Sequence, residues 1–370
     1  MSNKQPRKNE SPIHVTKSFL PNKRLFNQYV NRIWKSNQLT NQGPLLRELE
    51  ESLKDKLEIK NLHYVSNGTI ALQIALRSLD ITGGEIITTP FSYVATISSI
   101  LWERCTPIFG DIDPGTFCID PDKIESSITD KTKAIMAVHV FGAPCDVEKI
   151  ADIASRHSIK VIYDAAHAFG AVYKGRSLLD YGDISTCSFH STKLFHTVEG
   201  GCVVASDNKV DRKLELVKRF GHHGDDHQML GINAKASEFH AAMGLCNIGY
   251  IDDIIEERKR ISELYDSCLG SAVKKQIHPE GLEYNYAYYP VVFKSERVTL
   301  KVIAKLNEIN VFPRRYFYPS LNTLPYLQST TDCPVSESIS ARIICLPLYV
   351  GLKPYQIRKI SKVIREIASK

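Results

Sequence analysis

The stretch Ser188-Phe-His-Ser-Thr-Lys193-Leu-Phe-His-Thr-Val-Glu199-Gly200-Gly201 carries the strongest signal for the fold of this chain. It places a lysine after a strand-like segment and shortly before a Glu-Gly-Gly turn. A lysine amine that is partly removed from water has a lowered pKa and becomes nucleophilic toward an aldehyde. The chain has 47 lysines and arginines, so a solvated surface lysine is the alternative at this position. We predict from this stretch a covalent anchor at Lys193, held as a Schiff base.

A second segment, upstream of the lysine, supplies a carboxylate. Val161-Ile-Tyr163 is a short apolar run followed by Asp164, which is typical of a buried strand with an acidic residue at its carboxyl end. An aspartate there can hold the protonated pyridine nitrogen of pyridoxal phosphate and so keep that ring an electron acceptor. An N-cap for the following turn is the alternative.

A third segment predicts a phosphate site. Residues 64–76 join a glycine turn to an amphipathic helix that opens at Gly68 and Thr69. The free backbone N–H groups and the dipole of such a helix start attract a phosphate. An ordinary helix start with a glycine and a threonine cap is the alternative.

These segments occur together in the order and spacing of a known family. The chain resembles the DegT/DnrJ/EryC/StrS sugar aminotransferases, which are fold type I enzymes that use pyridoxal phosphate. The likeness covers nearly the whole chain, with further matching pieces at residues 39–44, 84–96, 111–114, 138–142 and 231–244. So many short matches in one register argue against coincidence.

The resemblance implies roles for the residues around the cofactor. Lys193 would anchor it and then move a proton between the substrate carbon and the cofactor, and Asp164 would pair with the pyridinium nitrogen. Tyr93 would stack on the pyridine ring, with core packing as the alternative. His167, where many relatives carry glutamine, would donate a hydrogen bond to the phenolate oxygen.

The remaining matched residues would bind phosphate and substrate. The amides of Gly68 and Thr69 and the hydroxyl of Ser188 would bind the phosphate, and Asn233 would reach it from the partner subunit, which implies a homodimer with its active site at the interface. Paired arginines and aromatics at residues 313–319 suit a diphosphate and a flat base, with a packed linker as the alternative. The candidate substrate-binding residues are Asn41, Arg314, Arg315, Tyr316 and Tyr318.

The resemblance also implies the reactants: a nucleotide-linked keto sugar as amino acceptor and L-glutamate as donor. The favoured reaction is amination of TDP-4-keto-6-deoxy-D-glucose at carbon four, for a surface polysaccharide such as the O-antigen of lipopolysaccharide. A 3-amino-sugar or a GDP- or UDP-sugar aminotransferase is the alternative. A sugar dehydratase using pyridoxamine phosphate is disfavoured because those relatives carry histidine in place of the anchoring lysine. A transcriptional sensor is disfavoured because few residues precede the matched region.

Alternating strand-like and helix-like segments predict an α/β fold. Strands are expected at residues 86–89, 107–110, 134–140, 160–163, 185–189 and 202–205, with helices such as 146–156 between several of them. This order predicts a mostly parallel central sheet with functional groups at the strand ends. A helix over 238–269, strands at 284–293 and 343–348 and helices at 300–308 and 354–369 predict a smaller C-terminal α+β domain. We divide the chain into a flexible tail (1–12), a large cofactor-binding domain (13–247) and a small domain (248–370).

The composition of the chain indicates which kinds of partner and which cellular compartment to expect. Hydrophobic content of 43% with 24% charge is ordinary for a globular protein, and the modest charge of +6 gives little support to nucleic-acid binding. Nine cysteines without metal-type spacing favour a reducing compartment. No apolar run is long enough for a bilayer and the amino terminus lacks a secretory signal, so we expect a cytoplasmic protein without a membrane partner. The histidine-rich loop 221–227 has metal-ligand residue types, but one flexible heptad rarely fixes metal geometry, and we predict no metal site.

Overall fold

The computed structural model describes residues 11–327 and 331–368 of the chain. The α-helices in these residues are α1 (Lys23–Ser36), α2 (Pro44–Leu57), α3 (Gly68–Ser78), α4 (Ala95–Trp102), α5 (Pro121–Glu125), α6 (Val147–His157), α7 (Asn208–Val217), α8 (Glu238–Ile248), α9 (Ile251–Leu269), α10 (Glu296–Glu308), α11 (Pro334–Arg342) and α12 (Pro354–Ala368). Short 3-10 helices lie at Val140–Gly142, Leu178–Asp180, Gly270–Ala272 and Leu321–Thr323. The strands are β1 (Ile13–His14), β2 (Leu62–Val65), β3 (Glu85–Thr88), β4 (Thr106–Phe109), β5 (Thr132–Val138), β6 (Lys160–Asp164), β7 (Val172–Tyr173), β8 (Arg176–Ser177), β9 (Ile184–Ser188), β10 (Gly201–Ala205), β11 (His222–His223), β12 (Asp226–His227), β13 (Leu282–Glu283), β14 (Pro290–Val292), β15 (Val311–Phe312) and β16 (Ile343–Cys345).

One sheet organises the larger part of the chain, in the strand order β2, β10, β9, β6, β5, β3, β4. The five strands from β9 to β4 run parallel to one another, and β10 runs antiparallel to both β9 and β2. The strands β5 and β6 are buried apart from Lys133 and Lys160, as parallel strands covered by helices on both faces require. The predicted α/β fold with a mostly parallel central sheet is confirmed.

Two of the apolar cores lie on opposite faces of this sheet and meet along β10. Along β10, Cys202 and Val204 enter one core and Val203 and Ala205 enter the other, because successive side chains of a strand point to opposite faces. Helices α2 and α8 pack together in the first core, and α3 and α7 pack together in the second. The first core also holds Phe189 and thus supports the loop that follows β9.

A third apolar core forms the smaller C-terminal part, among α9, α10, α12 and the antiparallel pair of β14 and β16. Strand β1 pairs in parallel with β15, so Ile13 lies against Val311 rather than in the central sheet. Residues 1–10 of the predicted tail lie outside the described residues, and the division into domains at 13–247 and 248–370 stays a prediction. No described helix is both long and apolar enough to cross a membrane.

Two predicted elements are interrupted by turns, and the strand expected over 343–348 is paired only at Ile343–Cys345. The helix expected over 238–269 is two helices, because Gly249 ends α8 and the chain turns at Tyr250 before α9 begins. Of the strand expected over 284–293, only Pro290–Val292 forms a strand. Tyr286 has φ +53°, which interrupts the extended run. The turn lets Asn285 donate to the carbonyls of His167 and Phe169 instead.

Candidate active site

A cavity of about 390 Å³ lies at the carboxyl ends of β6 and β9, between the central sheet and the C-terminal part. It is lined by the start of α3, the loop after β9 and the segment after β15. Ligand sites of parallel α/β sheets lie at this edge because the strand ends and the helix starts meet there. The residues predicted from sequence that line it are Gly68, Thr69, Tyr93, Asp164, Ser188, Lys193, Arg314 and Tyr316.

The amine of Lys193 is free to react. It lies in the loop between β9 and β10, lines the cavity, and has no hydrogen bond or ion pair with the residues that the structure describes. Burial lowers the pKa of this amine, and the negative charge of Asp164 partly opposes that shift. A lowered pKa increases the fraction of neutral, nucleophilic amine near neutral pH.

The carboxylate of Asp164 is fixed by two donors at the end of β6. The hydroxyl of Thr96 donates to Oδ2 across 2.8 Å, and the backbone N–H of Ala166 donates to Oδ1 across 3.1 Å. Burial raises the pKa of Asp164, while these two hydrogen bonds and the nearby Lys193 amine lower it. The carboxylate is therefore aimed into the cavity, where it can hold a positively charged nitrogen.

His167 is buried beside the cavity and does not line it. Its ring stacks on Phe141 and Phe317, and its Nδ1 accepts the backbone N–H of Phe141 across 3.2 Å. Burial, helped by the positive charge of Lys193, holds the pKa of His167 well below its usual range. The ring is therefore neutral with its proton on Nε2, and that N–H is the donor that the predicted phenolate contact needs.

Backbone donors and close packing form a cradle for phosphate at the start of α3. The side chain of Asn67 accepts the N–H of Ile70 across 2.9 Å and so occupies one donor of the first turn. The N–H groups of Gly68 and Thr69 have no acceptor within the helix. A Cβ at Gly68 would lie 2.8 Å from the Cβ of Ser188, so only glycine lets the helix start approach the end of β9. That added Cβ would also lie 3.2 Å from the hydroxyl oxygen of Ser188, so this hydroxyl lies close to the helix start.

The aromatic and cationic residues of the cavity lie at its outer side. Tyr93 is 61% exposed, which disagrees with the alternative of core packing. The guanidinium carbon of Arg314 lies 5.8 Å from the centroid of the Tyr316 ring. Arg314 has no ion pair among the described residues, so its charge is available to an anion.

The structure does not bring the other predicted substrate residues to this cavity. Arg315 donates to Glu296 and to the carbonyl of Ala341, and its guanidinium carbon lies 3.3 Å from the centroid of the Tyr318 ring. Arg315 and Tyr318 thus form a contact of their own within the C-terminal part. Asn41 is exposed on the loop before α2.

Asn233 is also exposed, beyond the cavity of its own chain. The histidine-rich loop before it forms the hairpin of β11 and β12, in which the ring centroids of His222 and His227 lie 4.8 Å apart. Across the described ranges, no group of three His, Cys, Asp or Glu side chains is arranged to hold a metal.

Sequence reasoning missed several residues that line the cavity or hold its side chains in place. Thr96 stands 68 positions from the carboxylate it binds, and no spacing rule connects the two. His190 and Glu199 line the cavity, with His190 Nε2 3.6 Å from a carboxylate oxygen of Glu199. Both lie in the stretch around Lys193, so proximity to the anchor was the available signal. Tyr288 and Phe317 come from the C-terminal part, and only the fold brings them here.

The residues fit pyridoxal phosphate. Lys193 presents an amine without a partner among the described residues, Asp164 a buried carboxylate and His167 an Nε2–H donor. The start of α3 has a glycine, and a side chain at that position would collide with Ser188. The fold and this cavity have the organisation of the fold type I enzymes that use this cofactor. The chain belongs to the DegT/DnrJ/EryC1/StrS aminotransferase family, whose model matches residues 22–365.

Similar proteins agree on the class of substrate. A dTDP-4-amino-4,6-dideoxy-D-glucose transaminase from Shigella dysenteriae is 39% identical over 366 residues, covering 97% of this chain and 100% of its own length. A GDP-perosamine synthase from Escherichia coli O157:H7 is 34% identical, covering 92% and 95%. A crystal structure of DesI in the presence of its TDP-sugar product superposes with a TM-score of 0.92 at 29% identity, covering 98% of this chain and 94% of that one. The protein is a sugar-nucleotide aminotransferase with pyridoxal phosphate as cofactor.

Proposed function

We propose that the protein transfers the amino group of L-glutamate to carbon four of TDP-4-keto-6-deoxy-D-glucose and so forms TDP-4-amino-4,6-dideoxy-D-glucose. The relative at 39% identity, named for this product, supports the choice of sugar and nucleotide. The observation that carries transamination is the unpaired amine of Lys193 beside the buried carboxylate of Asp164. A dehydratase of this fold carries histidine in place of that lysine, so Lys193 counts against dehydration.

Three side chains in and beside the cavity have separate roles in proton transfer. Pyridoxal phosphate, when bound, supplies the electron sink that makes a proton on the neighbouring carbon removable. Asp164 would hold the proton of the ring nitrogen, and the Nε2–H of His167 would donate to the phenolate oxygen. Nζ of Lys193 would take the proton from the carbon of the amino donor and return one to the carbon of the sugar, because this amine has no partner among the described residues.

The outer side of the cavity suits an anionic nucleotide. The unpaired guanidinium of Arg314 can donate two parallel hydrogen bonds to a diphosphate oxygen pair. The rings of Tyr93 and Tyr316 offer flat apolar surface to a base or a sugar, and both line the cavity. Arg315, Tyr318 and Asn41 lie away from the cavity of their own chain, so a role for them in binding this substrate requires a contact that a single chain does not make.

We further propose a homodimer in which Asn233 of the partner subunit completes the phosphate site. Asn233 is exposed in the single chain, and within the described part of the chain its side-chain oxygen accepts only the nearby N–H of Lys235, across 3.3 Å. Its side-chain N–H₂ group is thus available for a phosphate outside its own chain. The resemblance to the family supports this assignment.

The proposal includes the cellular compartment of the reaction and the use of its product. All nine cysteines are free and eight of them are buried, which suits a reducing compartment such as the cytoplasm. We place the product in the synthesis of a surface polysaccharide, on the strength of the sequence resemblance.

A product assay tests the substrate assignment. The purified protein is given L-glutamate with TDP-, GDP- and UDP-linked 4-keto and 3-keto sugars, and each aminated product is examined by NMR. We expect the TDP-4-keto sugar to be converted fastest, with the amine on carbon four and one 2-oxoglutarate per amine. A preferred GDP sugar, which the relative at 34% identity makes the second candidate, or an amine on carbon three contradicts the assignment. The Lys193→Ala variant is the control for turnover.

A further inference from the structure

The loop that carries Lys193 is closed by the side chain of Tyr64. The Tyr64 hydroxyl lies 2.5 Å from Oγ1 of Thr197 and 3.1 Å from the carbonyl oxygen of Glu199. Oγ1 of Thr197 donates to that same carbonyl across 2.8 Å. The backbone N–H of Thr197 also donates to the carbonyl of Phe189 at the start of the loop. One phenol hydroxyl thus joins the two residues on either side of position 198.

Position 198 has a strained backbone. Val198 has φ +71°, in the left-handed region that favours glycine, and a β-branched side chain is among the least suited to it. Such conformations persist only where surrounding contacts hold them, and they concentrate at functional sites. The contacts here include those of Thr197 and Glu199 with Tyr64, and the bond that the N–H of Val198 donates to Nδ1 of His196 across 3.3 Å. The turn also directs the side chain of Glu199 to the cavity.

Tyr64 itself has little freedom to move. It is 1% exposed, and its backbone N–H donates to Oε1 of Glu50 across 2.8 Å. The same carboxylate accepts from the buried amine of Lys218. A Cβ at Gly200 would lie 2.1 Å from the Tyr64 hydroxyl, so the glycine at this position leaves room for the phenol. The strand β2 therefore presents a fixed hydroxyl to a strained loop.

We propose that Tyr64 is a positioning residue for the amino-transfer reaction: its hydroxyl holds the strained turn at Val198 and thereby fixes the Lys193 amine and the Glu199 side chain in the cavity. Tyr64 does not line the cavity and touches no reacting atom. Its effect passes through Thr197 and Glu199. The proposal accounts for a valine at a position whose backbone favours glycine.

The Tyr64→Phe variant removes the hydroxyl and keeps the ring that contacts Phe189. We expect kcat to fall on the order of tenfold, because small misplacements of a catalytic group are costly, with KM for the nucleotide sugar within about twofold of the wild type. In cofactor-free protein, the pH profile of Lys193 acylation, followed by peptide mass spectrometry, should shift. Tyr181→Phe is the matched control, because its hydroxyl donates to the carbonyl of Tyr173 across 2.8 Å away from the cavity.

Relief of the strain supplies a second test. The Val198→Gly substitution permits a positive φ without cost. We expect it to restore most of the lost kcat and the wild-type acylation profile when added to Tyr64→Phe. Failure to restore either one overturns the role of the strained turn.

Thr197 keeps the proposal testable if Tyr64→Phe does not fold. Thr197→Ser retains the hydroxyl that Tyr64 contacts, whereas Thr197→Val removes it. We expect the serine variant to keep wild-type kcat and the valine variant to lose it on the order of tenfold. If Tyr64→Phe and Tyr181→Phe lower the melting temperature alike and both leave kcat and Lys193 acylation unchanged, Tyr64 is a structural residue only and the proposal fails.

Discussion

The hydroxyl of Thr96 donates to Oδ2 of Asp164 across 2.8 Å, although the two residues stand 68 positions apart in the chain. Thr96 lies near the start of α4 and is itself 2.7 Å from the hydroxyl of Ser92, so its orientation is set by a neighbour on its own helix end. A buried carboxylate would otherwise be driven toward its neutral form by desolvation. This one bond therefore helps to keep Asp164 charged, as its proposed contact with the ring nitrogen of the cofactor requires.

The Thr96→Val variant should lose activity selectively at low pH. Burial raises the pKa of Asp164 and the bond from Thr96 lowers it, so removal of the hydroxyl raises that pKa further. Asp164 must be ionised to hold the pyridinium nitrogen, and a higher pKa moves the acid limb of the pH profile of kcat/KM to higher pH. The profile of the loaded enzyme measures this shift.

Two further variants serve as controls for Thr96→Val: one removes an unrelated buried hydroxyl and the other removes the charge of Asp164. Thr88→Val removes a buried hydroxyl that donates to the carbonyl of Met136 across 2.8 Å, and its acid limb should stay in place. Asp164→Asn should lower kcat by on the order of 10²–10³-fold at every pH, because it removes the charge itself. An unshifted acid limb in Thr96→Val, at wild-type melting temperature, contradicts the role given to this hydrogen bond.

The ring of His167 should remain neutral over the working range of the enzyme. Burial, helped by the charge of Lys193, lowers its pKa, and Nδ1 already accepts from Phe141. We expect its nitrogen NMR shifts to stay constant from about pH 5.5 to 8, where an ordinary histidine titrates. His167→Gln keeps an N–H donor and should stay within about threefold of wild-type cofactor affinity. His167→Phe keeps the aromatic stacking but has no N–H donor, and its cofactor affinity should fall roughly tenfold or more. Equal affinities for the two variants would show that no donor is needed.

The Gly68→Ala variant should bind the cofactor poorly. The added Cβ would lie 2.8 Å from the Cβ of Ser188, so either the helix start or the end of β9 must move and the phosphate donors no longer converge. We expect affinity to fall on the order of tenfold, measured by titration of the cofactor-free protein. Gly249→Ala is the matched control, since nothing lies within 4 Å of its added Cβ. Equal affinity in the two variants would remove Gly68 from the phosphate site.

Subunit mixing tests the assignment of Asn233 to the partner subunit. The Asn233→Ala and Lys193→Ala variants should each be weak or inactive alone. A mixed dimer of the two has one site that combines an intact Lys193 with an intact Asn233 from the other subunit. After free exchange of equal amounts, we expect about a quarter of wild-type activity, because half of the dimers are mixed and each has one good site.

The control mixture pairs Lys193→Ala with Asp164→Asn. Both residues line the cavity of one chain, so each site of a mixed dimer of these variants lacks either Lys193 or the carboxylate of Asp164. This mixture should therefore recover no activity beyond the sum of the separate variants. Activity no greater than the sum of the separate variants in the Asn233 mixture contradicts the shared site.

Much of the architecture follows from local patterns. The apolar runs that end at Asp164 and Ser188 are strands of the central sheet, and the glycine turn at Gly68 opens a helix. Continuous apolar runs are typical of strands covered on both faces, and such strands deliver their carboxyl ends to one edge. The predicted fold, the family and the cofactor are confirmed, while the individual roles of the site residues stay predictions.

The remainder depends on contacts that no local pattern encodes. Arg315, a predicted substrate residue, contacts Glu296 and Tyr318 and does not line the cavity. The adjacent Arg314 does line the cavity. The long-range bond from Thr96 could not be anticipated because it joins the start of α4 to the end of β6. The break at Gly249 was missed because apolar residues continue with helical spacing on both sides of it.

Reduction of the resting enzyme with borohydride, followed by proteolysis and mass spectrometry, tests the central claim most directly. Borohydride converts a lysine-bound pyridoxal phosphate into a stable pyridoxyl label. The account predicts the label on the peptide that contains Lys193 and its absence in the Lys193→Ala variant. A label on any other lysine, or no label in enzyme that turns over, would contradict it.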